Sequence, residues 1–112
     1  MFAKQYGTLR SAYISLTNGV PSATWFTATA GQRAFIFDII LTTNDSAGPL
    51  ITLSGASTGV ISRYYVINSA PLLDGLAVPL IVNPGDIVTI AANAITVAKT
   101  VECKCVYTLN VT

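Results

Sequence analysis

Apolar residues recur in runs of five to ten, rich in β-branched and aromatic side chains, and each run closes on Gly, Pro, Asn or Asp. No apolar stripe holds a helical period for more than two turns, so the pattern predicts strands throughout. The first strand runs over Arg10–Thr17 and ends at Asn18-Gly19-Val20-Pro21; a second spans Ser22–Thr29 up to the turn Ala30-Gly31-Gln32. The most apolar run follows, Arg33–Thr43, with Phe35, Phe37, Ile39 and Leu41 expected on one face and Ile36 and Ile40 on the other. That strand is apolar on both sides, so one face is expected in the core and the other against a neighbouring subunit.

The chain reverses at Asn44-Asp45-Ser46-Ala47-Gly48-Pro49, where short polar side chains cap their own backbone. Leu50–Ser54 returns, Gly55–Gly59 is a small polar loop, and Ile61–Asn68 is a further strand. Residues 69–78 read as irregular, leaving Pro79–Val82 as a brief strand before Asn83-Pro84-Gly85-Asp86, where Pro fixes φ and Gly admits positive φ. Ile87–Ala91 comes next, with a turn around Ala92-Asn93-Ala94 before the last segment. Thr100–Thr112 alternates most cleanly: Val101, Cys103, Cys105, Tyr107, Leu109 and Val111 face one way, and Glu102, Lys104, Val106, Thr108, Asn110 and Thr112 the other. The first set is expected in the core and the second mostly in solvent. About eight strands near ten residues apart predict one all-β domain, a jelly-roll-like antiparallel β-sandwich over residues 10–112 preceded by an arm at 1–9.

Charge changes the picture more than size does. Charged residues are 10% of the 112, against about 25% in ordinary soluble proteins, while hydrophobic residues are 52%. A surface this neutral is covered in use, so an oligomer is expected. The six cations are scattered and the net charge is +1, which leaves no basic stripe for a run of phosphates; no nucleic-acid partner is expected. The longest uncharged stretch, Ser11–Gln32, carries Asn18, Gly19, Pro21 and several Ser and Thr, so no membrane span is expected there. The start, Met1-Phe2-Ala3-Lys4, is not followed by the apolar stretch of about 7 to 15 residues that a secretory signal uses, and folding in the cytoplasm is expected.

Candidate chemistry is sparse. With no histidine there is no Ser-His-Asp or Cys-His triad and no imidazole ligand, so neither a catalytic residue nor a metal or other cofactor is expected. Cys103 and Cys105 lie two apart on one face of a strand, about 6 to 7 Å between Cβ atoms, too far for a disulfide; buried free thiols are expected. Asp45, Asp74 and Asp86 stand in turn signals, and one acidic turn does not supply the six to eight oxygens that calcium takes. Asp38 interrupts an apolar strand and needs either a place near the surface or a cationic partner, within the chain or across an interface. Trp25, Phe26, Tyr64 and Tyr65 are candidates for an aromatic platform, but neighbours on a strand point to opposite faces, which favours packing over a shared surface.

The run Thr27-Ala28-Thr29-Ala30-Gly31-Gln32-Arg33-Ala34-Phe35-Ile36-Phe37-Asp38-Ile39-Ile40-Leu41-Thr42-Thr43-Asn44, with the later Pro79-Leu80-Ile81-Val82-Asn83-Pro84-Gly85-Asp86-Ile87-Val88-Thr89-Ile90, resembles small virion proteins of tailed bacteriophages. The resemblance covers residues 25–112 in pattern. It implies a jelly-roll capsid decoration (cement) protein or a head or tail accessory, non-enzymatic, homo-oligomeric and often trimeric, located in the virion and bound to the major capsid protein or another virion protein. In that reading Phe2, Tyr6 and Leu9 of the arm reach a neighbour, while Ile36, Asp38 and Ile40 contribute to the oligomer. The alternatives are a carbohydrate-binding module of the same architecture and a tail or baseplate accessory protein.

Overall fold

The eight strands of the computed structural model, which describes residues 9–68 and 72–111, are β1 (Arg10–Thr17), β2 (Ser22–Thr27), β3 (Gln32–Thr43), β4 (Leu50–Gly55), β5 (Gly59–Tyr65), β6 (Leu72–Val82), β7 (Ile87–Ala92) and β8 (Thr100–Val111). They form two antiparallel four-stranded sheets, sheet A in the order β1-β8-β3-β6 and sheet B in the order β2-β7-β4-β5. Successive strands mostly alternate between the sheets, and the first and last strands pair where β8 inserts between β1 and β3. This is the jelly-roll topology.

The turns follow from local chemistry. Asn83 to Asp86 closes on a 3.2 Å bond from the Asp86 N–H to the Asn83 carbonyl, with Gly85 at φ 73°, which only glycine adopts without steric cost. Two buried aspartates fasten the ends of the sandwich. At one end Asp45 accepts the Ala47 N–H (2.9 Å), the Thr96 N–H (2.7 Å) and the Thr96 hydroxyl (2.9 Å), joining the β3–β4 and β7–β8 loops. At the other, Asp86 accepts the N–H groups of Ser57, Thr58 and Ile87 and the Thr58 hydroxyl, at 2.7–2.9 Å, joining the β4–β5 and β6–β7 loops.

The core lies between the sheets, with Leu16, Ile36, Ile39, Leu41, Ile51, Leu53, Val88, Ile90, Val101, Cys103 and Cys105 all essentially inaccessible. Trp25 on β2 donates its indole N–H to the Cys103 carbonyl at 3.3 Å, and Phe26 stacks on Tyr107 with centroids 3.9 Å apart, so both residues tie sheet B to sheet A. Two bulges make this packing. Trp25 has no register partner between Thr24 and Phe26, and Phe37 has none between Ile36 and Asp38, so each bulged strand turns two adjacent side chains inward.

The bulges correct two sequence expectations. Strict alternation placed Ile36 on the outer face with Ile40; the extra residue at Phe37 reverses the parity, so Ile36 is buried and Phe35 faces out. Trp25 and Phe26 do share a face, the inner one. The segment 72–78 is strand rather than irregular, because β6 is an edge strand, where Pro79 is tolerated and a register shift opposite Phe37 absorbs the extra residues; residues 69–71 lie outside the described residues. Asp74 therefore sits in a strand, level with Ile39, and not in a turn. Thr108, expected in solvent, is 1% exposed beside Phe35, and its hydroxyl has no hydrogen-bond partner among the described residues.

Candidate functional site

Phe2 and Tyr6 lie outside the described residues; Leu9, the first described residue, is 49% exposed. Ile36 is part of the core and contributes nothing to an outer surface. Asp38 and Ile40 do face outward from β3, the first exposed and the second half-buried. Asp38 meets the need for a partner by standing in water. It lies level with Gly75 on β6, where a Cβ would come within 3.3 Å of its Oδ1, so the missing side chain leaves the carboxylate open. With Ile39, Ile40, Leu73 and Gly75 it lines an open depression of about 280 Å³.

Register extends this surface across all four strands of sheet A. Tyr13, Lys104, Ile40 and Leu73 form one row on the outer face, and Ser11, Val106, Asp38 and Gly75 form the next. Beyond them half-buried Phe35 and exposed Ile81 continue the apolar centre, with Thr108 buried level with Phe35. Tyr13, Leu73 and Ile81 are large apolar side chains left in solvent, Leu73 at 72% exposure. Glu102 is tied down: the Tyr13 hydroxyl and the Ser15 hydroxyl (2.9 Å) donate to its carboxylate. The Tyr13 bond to that anion raises the phenol above its ordinary pKa, because losing the proton would set two negative charges together.

The outer face of sheet B is different in kind. Its rows read Thr24, Thr89, Ser54, Val60 and Ser22, Ala91, Thr52, Arg63, so small polar side chains fill the middle, with Val60 and Tyr65 at the β5 edge. Sequence reasoning missed Tyr13, Leu73 and Ile81 as surface residues. For Tyr13 the signal was present in the alternation of β1; Leu73 was hidden in a segment that Asp74, Gly75 and Pro79 made look broken.

The buried cysteines and carboxylates among the described residues are held by packing and by loop hydrogen bonds. Both cysteines are free and buried, and burial pushes each thiol up to about 12, which keeps them protonated and unreactive. The buried carboxylates of Asp45 and Asp86 are occupied by loop hydrogen bonds. Among the described residues no three Cys, Asp or Glu side chains gather as metal ligands. Of the four aromatic candidates, Trp25 and Phe26 are core residues, Tyr64 is half-buried and Tyr65 stands exposed at an edge of sheet B.

No family model matches the chain, and no curated protein matches it. Solved structures do resemble it. A subunit of the Bacillus endospore appendages, described as disulfide-linked pili, aligns with a TM-score of 0.59 at 18% identity, covering 94% of this chain and 88% of the other. A chain of the cyanophage Pam1 capsid asymmetric unit aligns with a TM-score of 0.53 at 16% identity, covering 90% and 84%. The carbohydrate-binding module CBM36, solved with calcium and xylotriose, follows with a TM-score of 0.47 at 10% identity, covering 94% and 92%. The first two share the β-sandwich fold of this chain.

Proposed function

We propose that this chain is a non-enzymatic structural subunit of a virion, a decoration or cement protein that holds to a capsid shell and to copies of itself through the outside of its jelly roll. The observation that carries the reading is the outer face of sheet A, where Tyr13, Leu73 and Ile81 stand in solvent around half-buried Phe35, Ile40 and Val106. Apolar surface of this kind in a chain with 10% charged residues is a contact surface waiting for its partner. The fold shared with a pilus subunit and a phage capsid chain supports the same reading, since both of those proteins work as repeated copies in an assembly. A tailed-phage origin, a major capsid protein as partner and self-association into an oligomer belong to the proposal as its finer content. Leu9, Asp38 and Ile40 stay as proposed contact residues, with Phe2 and Tyr6 as the reach of the arm.

The test is the mass of the purified protein by size-exclusion chromatography with light scattering over a wide concentration range. Masses at a multiple of 11.7 kDa support the reading, whereas a monomer at every concentration sinks it. Removing residues 1–9 should weaken association if the arm takes part; association unchanged by that deletion removes the arm from the account.

A further inference from the structure

Two opposite charges stand in neighbouring rows on the outer face of sheet A. Asp38 lies across from Val106, and Lys104, two residues along β8, lies across from Ile40. Both side chains are exposed, and neither has a hydrogen bond or ion pair with another described residue. As a diagonal pair on adjacent strands their Cβ atoms are about 7–8 Å apart. Leu73, 72% exposed, sits level with Lys104 on the other side of Ile40.

We infer that the outer face of sheet A is a two-fold interface with a second copy of this chain, in which Lys104 of each copy pairs with Asp38 of the other and the two Leu73 side chains meet near the axis. The inference rests on the reading of the chain as a self-assembling structural subunit. A two-fold axis lying in the interface plane and bisecting the line from Lys104 to Asp38 exchanges the two positions, so one rotation makes both ion pairs. Leu73 falls close to that axis, and the depression beside it offers room for the apolar side chain of the other copy.

Charge and area both favour a second copy as the occupant. Among the described residues the outer face of sheet A carries Arg33, Asp38, Glu102 and Lys104, two of each sign, so it can complement itself. The outer face of sheet B carries Arg63 alone among the described residues, so pairing that face with itself would give the guanidinium no carboxylate to meet. The molecule measures 41 × 26 × 18 Å, which gives a sheet face of roughly 1,000 Å², comparable to the ~800 Å² per partner of a stable interface. An end of the sandwich, 26 × 18 Å, is about half that.

The experiment is sedimentation equilibrium on the full chain and three variants, Lys104→Glu, Asp38→Lys and the double swap, each checked for an unchanged far-UV CD melt. The wild type should form a dimer. Each single reversal places like charges together at both pairs and should raise the dissociation constant at least about tenfold, while the double swap restores it to within about threefold. An equimolar mixture of the two single variants should also recover the dimer as a mixed pair. In it the two substituted side chains, now of opposite sign, face each other at one contact, and the native Asp38 and Lys104 face each other at the second. A trimer or larger assembly indifferent to these substitutions overturns the two-fold inference and leaves the structural-subunit reading standing. A wild type that stays monomeric overturns both.

Discussion

Burial alone would push the carboxyl of Asp86 upward, but the Thr58 hydroxyl and the N–H groups of Ser57, Thr58 and Ile87 outweigh it and hold the group well below its ordinary value of 3.8. A carboxylate whose native pKa is depressed contributes stability that is complete above the unfolded value and is lost as pH falls through and below it. The urea midpoint should therefore decline from about pH 5 downward, with Asp45 adding to the same trend because the Thr96 and Ala47 N–H groups lower it too. Asp86→Asn should be less stable at pH 7 by about 1–3 kcal/mol, since an amide turned toward those donors leaves at least one unsatisfied. Its midpoint should also fall less between pH 5 and 3 than that of the wild type; equal slopes would show that Asp86 is not a source of the acid sensitivity. Thr108 is the opposite case, a buried hydroxyl without a partner among the described residues. Thr108→Val keeps the shape and removes the unsatisfied group, so a gain of about 1 kcal/mol in the urea midpoint analysis is expected, and a loss would mean that the hydroxyl has a partner after all.

The β7–β8 loop shows how an element can hold strain. Ala94 and Ala98 have φ of 53° and 67°, left-handed values that cost a side-chain-bearing residue roughly 1–2 kcal/mol each. The loop stays in place because the Asn18 amide donates to the Ile95 carbonyl (2.6 Å), Asp45 takes both donors of Thr96, and the Thr100 N–H donates to Asn44 (2.9 Å). Ala98→Gly removes the steric cost and adds about 0.4–1 kcal/mol of unfolded-state entropy, so a small net rise in Tm is expected, with Ala94→Gly behaving alike; a clear fall in Tm for both would show that the loop carries no strain. Neither φ value was legible in the sequence, because alanine gives no sign of a left-handed turn. What was legible were elements whose local chemistry and burial agree: β1 was read as Arg10–Thr17 and is Arg10–Thr17, and the inward set Val101, Cys103, Cys105 and Tyr107 of β8 is buried as alternation requires. Alternation fails at Trp25 and Phe37, where one extra residue reverses the face of everything after it and only the partner strand reveals the slip. That is why Asp38 and Ile40 were found on the outer face and Ile36 was misplaced beside them. β6 was missed for a related reason. Pro79 and Gly75 argue against a central strand, and their tolerance depends on β6 being at an edge, a property of topology that no local window contains.

At the scale of the whole molecule, the last strand completes the first sheet. β8 lies between β1 and β3 and pairs with both, over eight residues of β1 and eleven positions of β3, so sheet A without it is two separated edges. The same strand supplies Val101, Cys103, Cys105 and Tyr107 to the core and receives the Trp25 indole and the Phe26 ring from sheet B, which makes the two sheets depend on one segment. The fold is then a single cooperative unit that cannot be partly made in chain order, since pairing of β1 waits for residues about ninety positions later. Two outcomes are expected. Trp25, the one tryptophan, reports from sheet B against β8, so its fluorescence and the far-UV CD should trace the same urea transition. A chain ending at residue 99 should show no cooperative transition and rapid proteolysis, and adding a peptide of residues 100–112 should restore the transition and slow the cleavage, because the missing strand then fills the slot between β1 and β3 from outside. A cooperative transition in the 1–99 chain by itself would mean that sheet B and its half of the core are stable without the strand that joins them to sheet A, and that the two sheets do not depend on β8.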